Sequence, residues 1–142
     1  MYSREESKKI REAFWTGFGK HYPRKWLLYN TRIKGLSLRF SFTRKAAAVS
    51  LDLECNDELL RDYYWEKLVS LRNILLEEYL PGAVYEPHYT LENAKVISRI
   101  YIEKAGVNIH NQKDWAGVQQ WLYEHMEKLE GFFKTYRDFI ES

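Results

Sequence analysis

The feature that most constrains this fold is a strict alternation of apolar and polar side chains from Leu36 to Phe42. Successive side chains of a β-strand point to opposite faces, so this stretch predicts a strand with one apolar and one polar face. The stretch from Val49 to Glu54 alternates in the same way, and Trp26 to Ile33 does so less regularly. With tight turns at Lys34-Gly35 and at Thr43 to Lys45, the three stretches predict an antiparallel meander.

The two faces of this meander are predicted to have different surroundings. Phe40 and Leu51 lie on the apolar side, and we expect both to belong to the core. A sheet with one apolar face needs helices across that face. The polar side carries Asn30, Arg32, Arg39, Asp52 and Glu54.

Helix start and stop signals flank the meander. A capping box formed by Ser3 and the glutamate three residues later predicts a first helix that begins near Arg4. Asn56 or Asp57 is a natural N-cap for a second helix, which should run to about Leu80, before a Pro-Gly pair.

The second half of the chain predicts a further hairpin and a long helix. Residues 83–88 and 95–103 have strand patterns, and apolar residues at helical spacing predict a helix from residues 111–114 to about residue 139. The predicted order is α-β-β-β-α-β-β-α. We therefore expect an α+β fold, with a mainly antiparallel sheet of about five strands covered by helices, in a single domain over residues 1–142.

Positive charge is concentrated in the first third of the chain. Residues 1–45 contain 12 Lys/Arg and 3 Asp/Glu, a balance of +9, and the remaining residues have a balance of −7. Either the two parts neutralise each other through ion pairs within the fold, or the first part is a basic stripe for nucleic acid, with Tyr22 and Trp26 placed to stack on bases. The residues assigned to binding are Lys20, Arg24, Lys25, Arg32, Arg39 and Arg99, and Lys34, Arg44 and Lys45 would extend the stripe.

Arg99, in the strand predicted for residues 95–103, has two interpretations. It either pairs with Glu86 or another acid across the second hairpin, or contacts an anion together with Arg32 and Arg39 on the polar sheet face.

Asp52 and Glu54 are the two carboxylates whose spacing suits catalysis. The predicted α-β-β-β-α-β order is similar to the core of restriction-endonuclease-like nucleases, in which a strand presents an Asp and a Glu-x-Lys to a metal ion. Here Cys55-Asn56 follows the strand, so the lysine is missing. Two interpretations stay open: a metal-dependent nuclease, or a solvated face of cross-strand ion pairs.

Motifs for metals and cofactors are absent from the sequence. The four histidines have no ligand spacing, and neither a phosphate-binding glycine loop nor a G-x-S-x-G elbow occurs. The single cysteine, Cys55, excludes an internal disulfide and a cysteine-based zinc site, and we expect an inert thiol. We expect no cofactor and no metal.

The location and assembly of the protein are also open to prediction. No run of about 18 apolar residues exists, and the charged N-terminus lacks an apolar signal core, so we expect a cytoplasmic protein without membrane contact. The last helix has a second apolar line that includes Trp121, Phe132 and Phe139. If these side chains are exposed in the monomer, the protein could be a structural homodimer.

Five short segments together resemble one family. They are Glu12 to Phe18, Ile33-Lys34-Gly35, Ser98-Arg99-Ile100, Asp114-Trp115 and Trp121-Leu122. In this order they resemble a bacterial family of uncharacterised domains, domain of unknown function 4268, over nearly the whole chain. Some members look like C-terminal attachments to endonuclease-like domains, which implies a link to DNA handling or defence. The resemblance carries over no catalytic residue, so we expect a non-catalytic binding or accessory module associated with nucleic acid.

Overall fold

Two β-hairpins and four helices make up the computed structural model, which describes residues 2–142. The helices are α1 (Arg4–His21), α2 (Glu58–Ser70), α3 (Arg72–Ile74) and α4 (Trp115–Glu141). The strands are β1 (Leu36–Phe42), β2 (Ala46–Leu53), β3 (Val84–Thr90) and β4 (Val96–Ala105). A π-helical turn (Leu75–Tyr79) follows α3, and a 3₁₀ turn (Gln112–Asp114) precedes α4.

The four strands form one antiparallel sheet in the order β1-β2-β4-β3. Leu38, Leu51 and Ile100 stand side by side on β1, β2 and β4, and all three are fully buried. Their alignment places these three side chains on one face, as the alternation in the sequence predicts. The α+β class is confirmed, but the sheet has four strands in the described part of the chain rather than about five.

The missing strand is the one predicted for Trp26 to Ile33, and that prediction is wrong. Leu28 and Arg32 have φ values of 48° and 68°, which an extended strand cannot contain. The hydroxyl of the buried Thr31 donates to two nearby backbone carbonyls, at 3.1 and 2.8 Å, and these local bonds compete with a strand ladder. The segment is therefore a turn-rich loop along the outer edge of β1, which it meets through a bond from Leu38 N to Leu28 O.

Both predicted N-caps are confirmed. Ser3 and Glu6 form the reciprocal bonds of a capping box, and the side chain of Asp57 accepts hydrogen bonds from two amides of α2. The second helix does not continue unbroken to Leu80, however. The π-helical turn brings Leu75 and Leu80, five residues apart, onto the same side, and both are buried in the core.

Helices α1 and α4 cover the apolar face of the sheet. The ring of Phe14 on α1 meets the rings of Phe42 and Trp115 edge-on, with centroids 4.8 and 5.4 Å apart. Five residues on one side of α4 are fully or almost fully buried: Val118, Leu122, Met126, Leu129 and Phe133. The stripe read from the sequence therefore lies on the core.

Phe40 is not a central core residue, whereas Leu51 is fully buried as predicted. Phe40 lies at the border of the core, where neighbouring rings cover it only partly, whereas Leu38 on the same edge strand is fully buried. The Phe40 ring contacts those of Phe18 and Trp26, at centroid distances of 5.3 and 5.5 Å.

None of the helices in residues 2–142 is both long enough and apolar enough to cross a membrane. A cytoplasmic location stays a prediction.

Candidate functional site

The sheet face turned away from the helices carries a group of charged side chains that we call the sheet-face cluster: Arg39, Asp52, Glu54, Lys95 and Arg99. Asp52 and Arg99 are direct cross-strand partners on β2 and β4. Arg99 donates from Nε and Nη2 to the two carboxylate oxygens of Asp52, each at 2.8 Å. This parallel geometry is the strongest form of an arginine–carboxylate pair.

Further cations enclose the two acids of the cluster. Arg39 Nε lies 3.5 Å from the Asp52 carboxylate, and Arg39 Nη2 donates to Glu54. Lys95 Nζ lies 3.5 Å from the other oxygen of Glu54. The predicted cross-strand pairing is therefore present, but the prediction of a solvated face is wrong for Asp52, which is completely buried.

The environment of Arg99 keeps it charged. Burial favours the neutral form and would lower the pKa of Arg99, but hydrogen bonds and the charge of Asp52 outweigh burial and raise that pKa. The Tyr89 ring lies 4.3 Å from the guanidinium carbon, which adds a cation–π contact. Arg99 pairs with Asp52 on β2 and not with Glu86, its neighbour on β3.

The donor set around Asp52 does not suit a metal ion. Both carboxylate oxygens already accept hydrogen bonds from Arg99, and a divalent cation there would face two guanidinium groups. Within residues 2–142, no group of three His, Cys, Asp or Glu side chains is arranged to hold a metal.

Arg24, another predicted binding residue, anchors a loop to α4. Its guanidinium donates to Glu127 at 2.8 Å and to the buried Glu130 at 3.0 Å, and it lies 4.1 Å from the ring centre of Trp26. The other Glu130 oxygen accepts from the amide of Leu27 at 2.8 Å. These contacts indicate a structural role for Arg24, because they hold the loop against α4.

Most of the other cations in residues 1–45 are exposed and unpaired. Among the described residues, only Lys8, Arg24 and Arg39 of the 12 have a carboxylate within 4.0 Å, and Lys8 pairs with Glu12 of the same helix. Ion pairing with the acidic part of the chain thus accounts for two of the 12 cations. We call the rest the unpaired cations: Arg4, Lys9, Arg11, Lys20, Lys25, Arg32, Lys34, Arg44 and Lys45.

Three of the unpaired cations line one cleft that was not predicted from the sequence. Arg4, Arg11 and Arg44 surround a hollow of about 520 Å³, together with Ser7 and His110. We call it the arginine cleft. The signal in the sequence was the i, i+3, i+7 spacing of Arg4, Ser7 and Arg11, which places all three on one side of a helix.

The candidate aromatic contacts also differ from those predicted. Tyr22 and Trp26 pack against Tyr123 of α4, with ring centroids 5.2 and 5.4 Å apart, and are half-buried. Tyr29 has 70% of its surface exposed. Tyr29 is therefore more open to a partner than Tyr22 or Trp26.

The second apolar line of α4 is only partly exposed. Phe132 is fully buried against Tyr79 and Tyr136, so it does not meet the condition of exposure in the monomer. Phe139 is 45% exposed, and Trp121 is half-buried and stacked on His125. Homodimerisation stays a prediction.

Fold and surface together define an α+β domain whose four-stranded antiparallel sheet has one helix-covered face and one charged face. Residues 10–137 match the family described as domain of unknown function (DUF4268), and the chain belongs to that family. The resemblance found in the sequence is thereby confirmed. No curated protein and no solved structure matches the chain.

Proposed function

We propose that this domain is a non-catalytic module that binds nucleic acid through the unpaired cations of residues 1–45. The observation that supports it is the exposure of nine Lys/Arg side chains in this segment without a carboxylate partner among the described residues. Cations whose charge is not neutralised within the fold attract a phosphate backbone regardless of its sequence.

The placement of these cations favours an extended polyanion. Lys20 lies near the end of α1 and Arg32 in the loop before β1, whereas Arg44 and Lys45 lie in the turn after β1. A strand of seven residues separates the two groups, so a compact ligand would reach only one of them.

A second hollow supports contact with nucleic-acid bases in addition to contact with the phosphate backbone. Arg32, Lys134 and Arg137 surround a space of about 700 Å³ that also includes the exposed ring of Tyr29. Aromatic rings stack on bases of any sequence, and neighbouring cations hold the phosphates. The expected binding is weak and tolerant of sequence.

The alternative of a metal-dependent nuclease using Asp52 and Glu54 is less well supported. A metal ion would have to displace Arg99 from Asp52 and leave that arginine partly buried without its partner. Titration with magnesium or manganese, followed by NMR, separates the two proposals. Shifts confined to Asp52 and Glu54 at millimolar metal would favour the nuclease.

Fluorescence anisotropy with labelled single- and double-stranded DNA and RNA tests the proposed binding. We expect dissociation constants on the order of 10⁻⁵ to 10⁻⁴ M at about 50 mM salt, and a steep loss of affinity at about 200 mM salt. Absence of binding at about 100 μM protein in the lower salt would overturn the proposal.

A further inference from the structure

We infer that the arginine cleft binds a terminal phosphate group, a phosphomonoester such as the 5′ end of a nucleic-acid strand. This inference rests on the proposed function only where it assigns the phosphate to a nucleic-acid strand. The cleft lies at the end of the sheet where β1 turns into β2, so it is separate from the hollow lined by Arg32 and Tyr29.

The arginines of the cleft come from two segments that are each held rigidly. Arg4 and Arg11 project from the same side of α1, on either side of Ser7. Arg44 lies in the β1–β2 turn, where the Thr43 hydroxyl accepts from the amides of Lys45 and Ala46 at 3.1 and 3.3 Å. The backbones that carry the three guanidinium groups are therefore fixed before any ligand arrives.

A third segment joins the other two. The amide of Ile109 donates to the Thr43 carbonyl at 3.0 Å, which ties the loop after β4 to the β1–β2 turn. The next residue is His110, and its Nε2 lies 3.3 Å from Ser7 Oγ, within hydrogen-bond distance. The ring centroids of His110 and Tyr2 are 4.3 Å apart. These contacts join α1, the turn and the loop into one preorganised cavity wall.

The charge of the cleft matches a phosphate dianion. None of the three arginines has a carboxylate within 4.0 Å among the described residues, and like charges around one hollow repel each other when no anion is bound. Glu92 also lines the cleft, and with three guanidinium groups it leaves a net charge of about +2. A phosphomonoester carries about −1.5 to −2 at neutral pH, whereas a phosphodiester carries only one negative charge.

The chemistry of the lining also suits a terminal phosphate. Guanidinium groups bind phosphate oxygens in pairs, and a terminal phosphate offers three such oxygens. The Ser7 hydroxyl also lines the cleft, and it is free to donate to a ligand when His110 Nε2 is the donor of the bond between them.

The test compares Arg11→Ala and Arg44→Ala with Lys128→Ala, which removes one exposed charge from α4, outside both the cleft and residues 1–45. Inorganic phosphate is titrated into each protein and followed through the arginine side-chain and His110 ring resonances. We expect saturable shifts of Arg11, Arg44 and His110 in the wild type. Loss of one charge-assisted partner should weaken phosphate binding about tenfold in the two cleft variants, and less than about twofold in Lys128→Ala.

A second arm identifies the source of the phosphate. Oligonucleotides that differ only in a 5′-phosphate or a 5′-hydroxyl are compared by anisotropy. We expect the phosphorylated strand to bind about fivefold more tightly to the wild type and equally to Arg44→Ala. Absence of phosphate-induced shifts at tens of millimolar phosphate, or an equal loss of affinity in Lys128→Ala, would show that the cleft is not a phosphate site. Equal binding of both strands would overturn the assignment to a strand end. Phosphate binding without any nucleic-acid binding would contradict the proposed function and leave the phosphate site supported.

Discussion

Arg99 on β4 and Asp52 on β2 form a bidentate ion pair with two 2.8 Å hydrogen bonds, and the carboxylate of this pair is completely buried. The two residues face each other in the strand register, so the pair spans the central two strands of the sheet. A carboxylate removed from water in this way needs its cationic partner. Substitution of the cationic partner alone is therefore expected to destabilise the folded protein.

The first prediction is that Arg99→Ala lowers the free energy of unfolding by about 3–5 kcal/mol, because it leaves a buried carboxylate without its main partner. Urea denaturation measures the loss. The double variant Arg99→Met/Asp52→Leu removes both charges and should lose much less. A loss under about 1 kcal/mol in the single variant would mean that water or Arg39 can replace Arg99.

The second prediction concerns Gly35, in the turn before β1. Its φ is +85°, and a Cβ atom there would lie 2.7 Å from Cys55 Sγ and 3.2 Å from Cys55 Cα. Gly35→Ala should therefore cost about 2–5 kcal/mol, from backbone strain and overpacking together. Gly106→Ala is the matched control, since Gly106 has a φ of +76° but open space around the new Cβ.

Thermal or urea denaturation of the two glycine variants tests this reasoning. We expect Gly106→Ala to lower the free energy of unfolding by about 1–2 kcal/mol, from backbone strain alone. In a Cys55→Ala background, Gly35→Ala should lower the free energy of unfolding by less than it does in the wild type, because the clash with Cys55 Sγ is removed. Equal losses in the two glycine variants would show that Cys55 does not restrict the turn.

Local features of the fold could be predicted from the sequence, and features set by distant residues could not. The strand β1 and the cap at Asp57 depend on neighbours in the chain, and both are predicted correctly. The pattern around Thr31 predicts a strand where the structure has a loop, because the side-chain bonds to the backbone that shape the loop leave no periodic signal in the sequence. The burial of Asp52 depends on the register that places Arg99 opposite it, 47 residues further along the chain.

The same limit applies to the candidate site. The excess of cations in residues 1–45 can be counted, but which of them are neutralised depends on packing. Arg24 and Arg39 meet carboxylates on α4 and β2, whereas Arg44 has no carboxylate within 4.0 Å among the described residues. The arginine cleft arises only when α1, the β1–β2 turn and the loop before α4 come together.

The third prediction concerns alkaline pH. Burial raises the pKa of Tyr85, an effect that the charge of Arg72 only partly opposes, and the Tyr85 hydroxyl donates to Leu68 O at 3.2 Å. The unfolded chain releases this proton near pH 10 and the folded protein only at higher pH. Stability from the neutral phenol is therefore present below pH 10 and is lost as the pH rises above it.

Urea denaturation of the wild type and Tyr85→Phe between pH 8 and 12 measures this effect. At pH 8 the variant should be less stable by about 1 kcal/mol, because the hydrogen bond is lost. Above pH 10 the difference should shrink and then reverse, by up to about 1.4 kcal/mol per pH unit. A difference that stays constant over this range would contradict the assignment to Tyr85.

The central claim is that the exposed cations of residues 1–45 bind nucleic acid, and two triple charge reversals test it most directly. One replaces Lys20, Lys25 and Arg32 by Glu. The control replaces Lys104, Lys113 and Lys128 by Glu, which are also exposed and unpaired among the described residues but lie outside this segment. Both change the net charge by the same amount, so they differ only in where the charge is reversed.

Anisotropy with a labelled oligonucleotide, over salt concentrations from about 50 to 200 mM, gives the affinity and its salt dependence for the wild type and both triple variants. We expect the first triple variant to lose at least about tenfold in affinity at the lower salt. Its plot of log affinity against log salt should also be shallower, because each lost phosphate contact removes roughly 0.7–0.9 from the slope. The control should keep the wild-type slope and lose less than about threefold. Equal losses in the two variants would show that overall charge and not this surface attracts the nucleic acid, and would contradict the central claim.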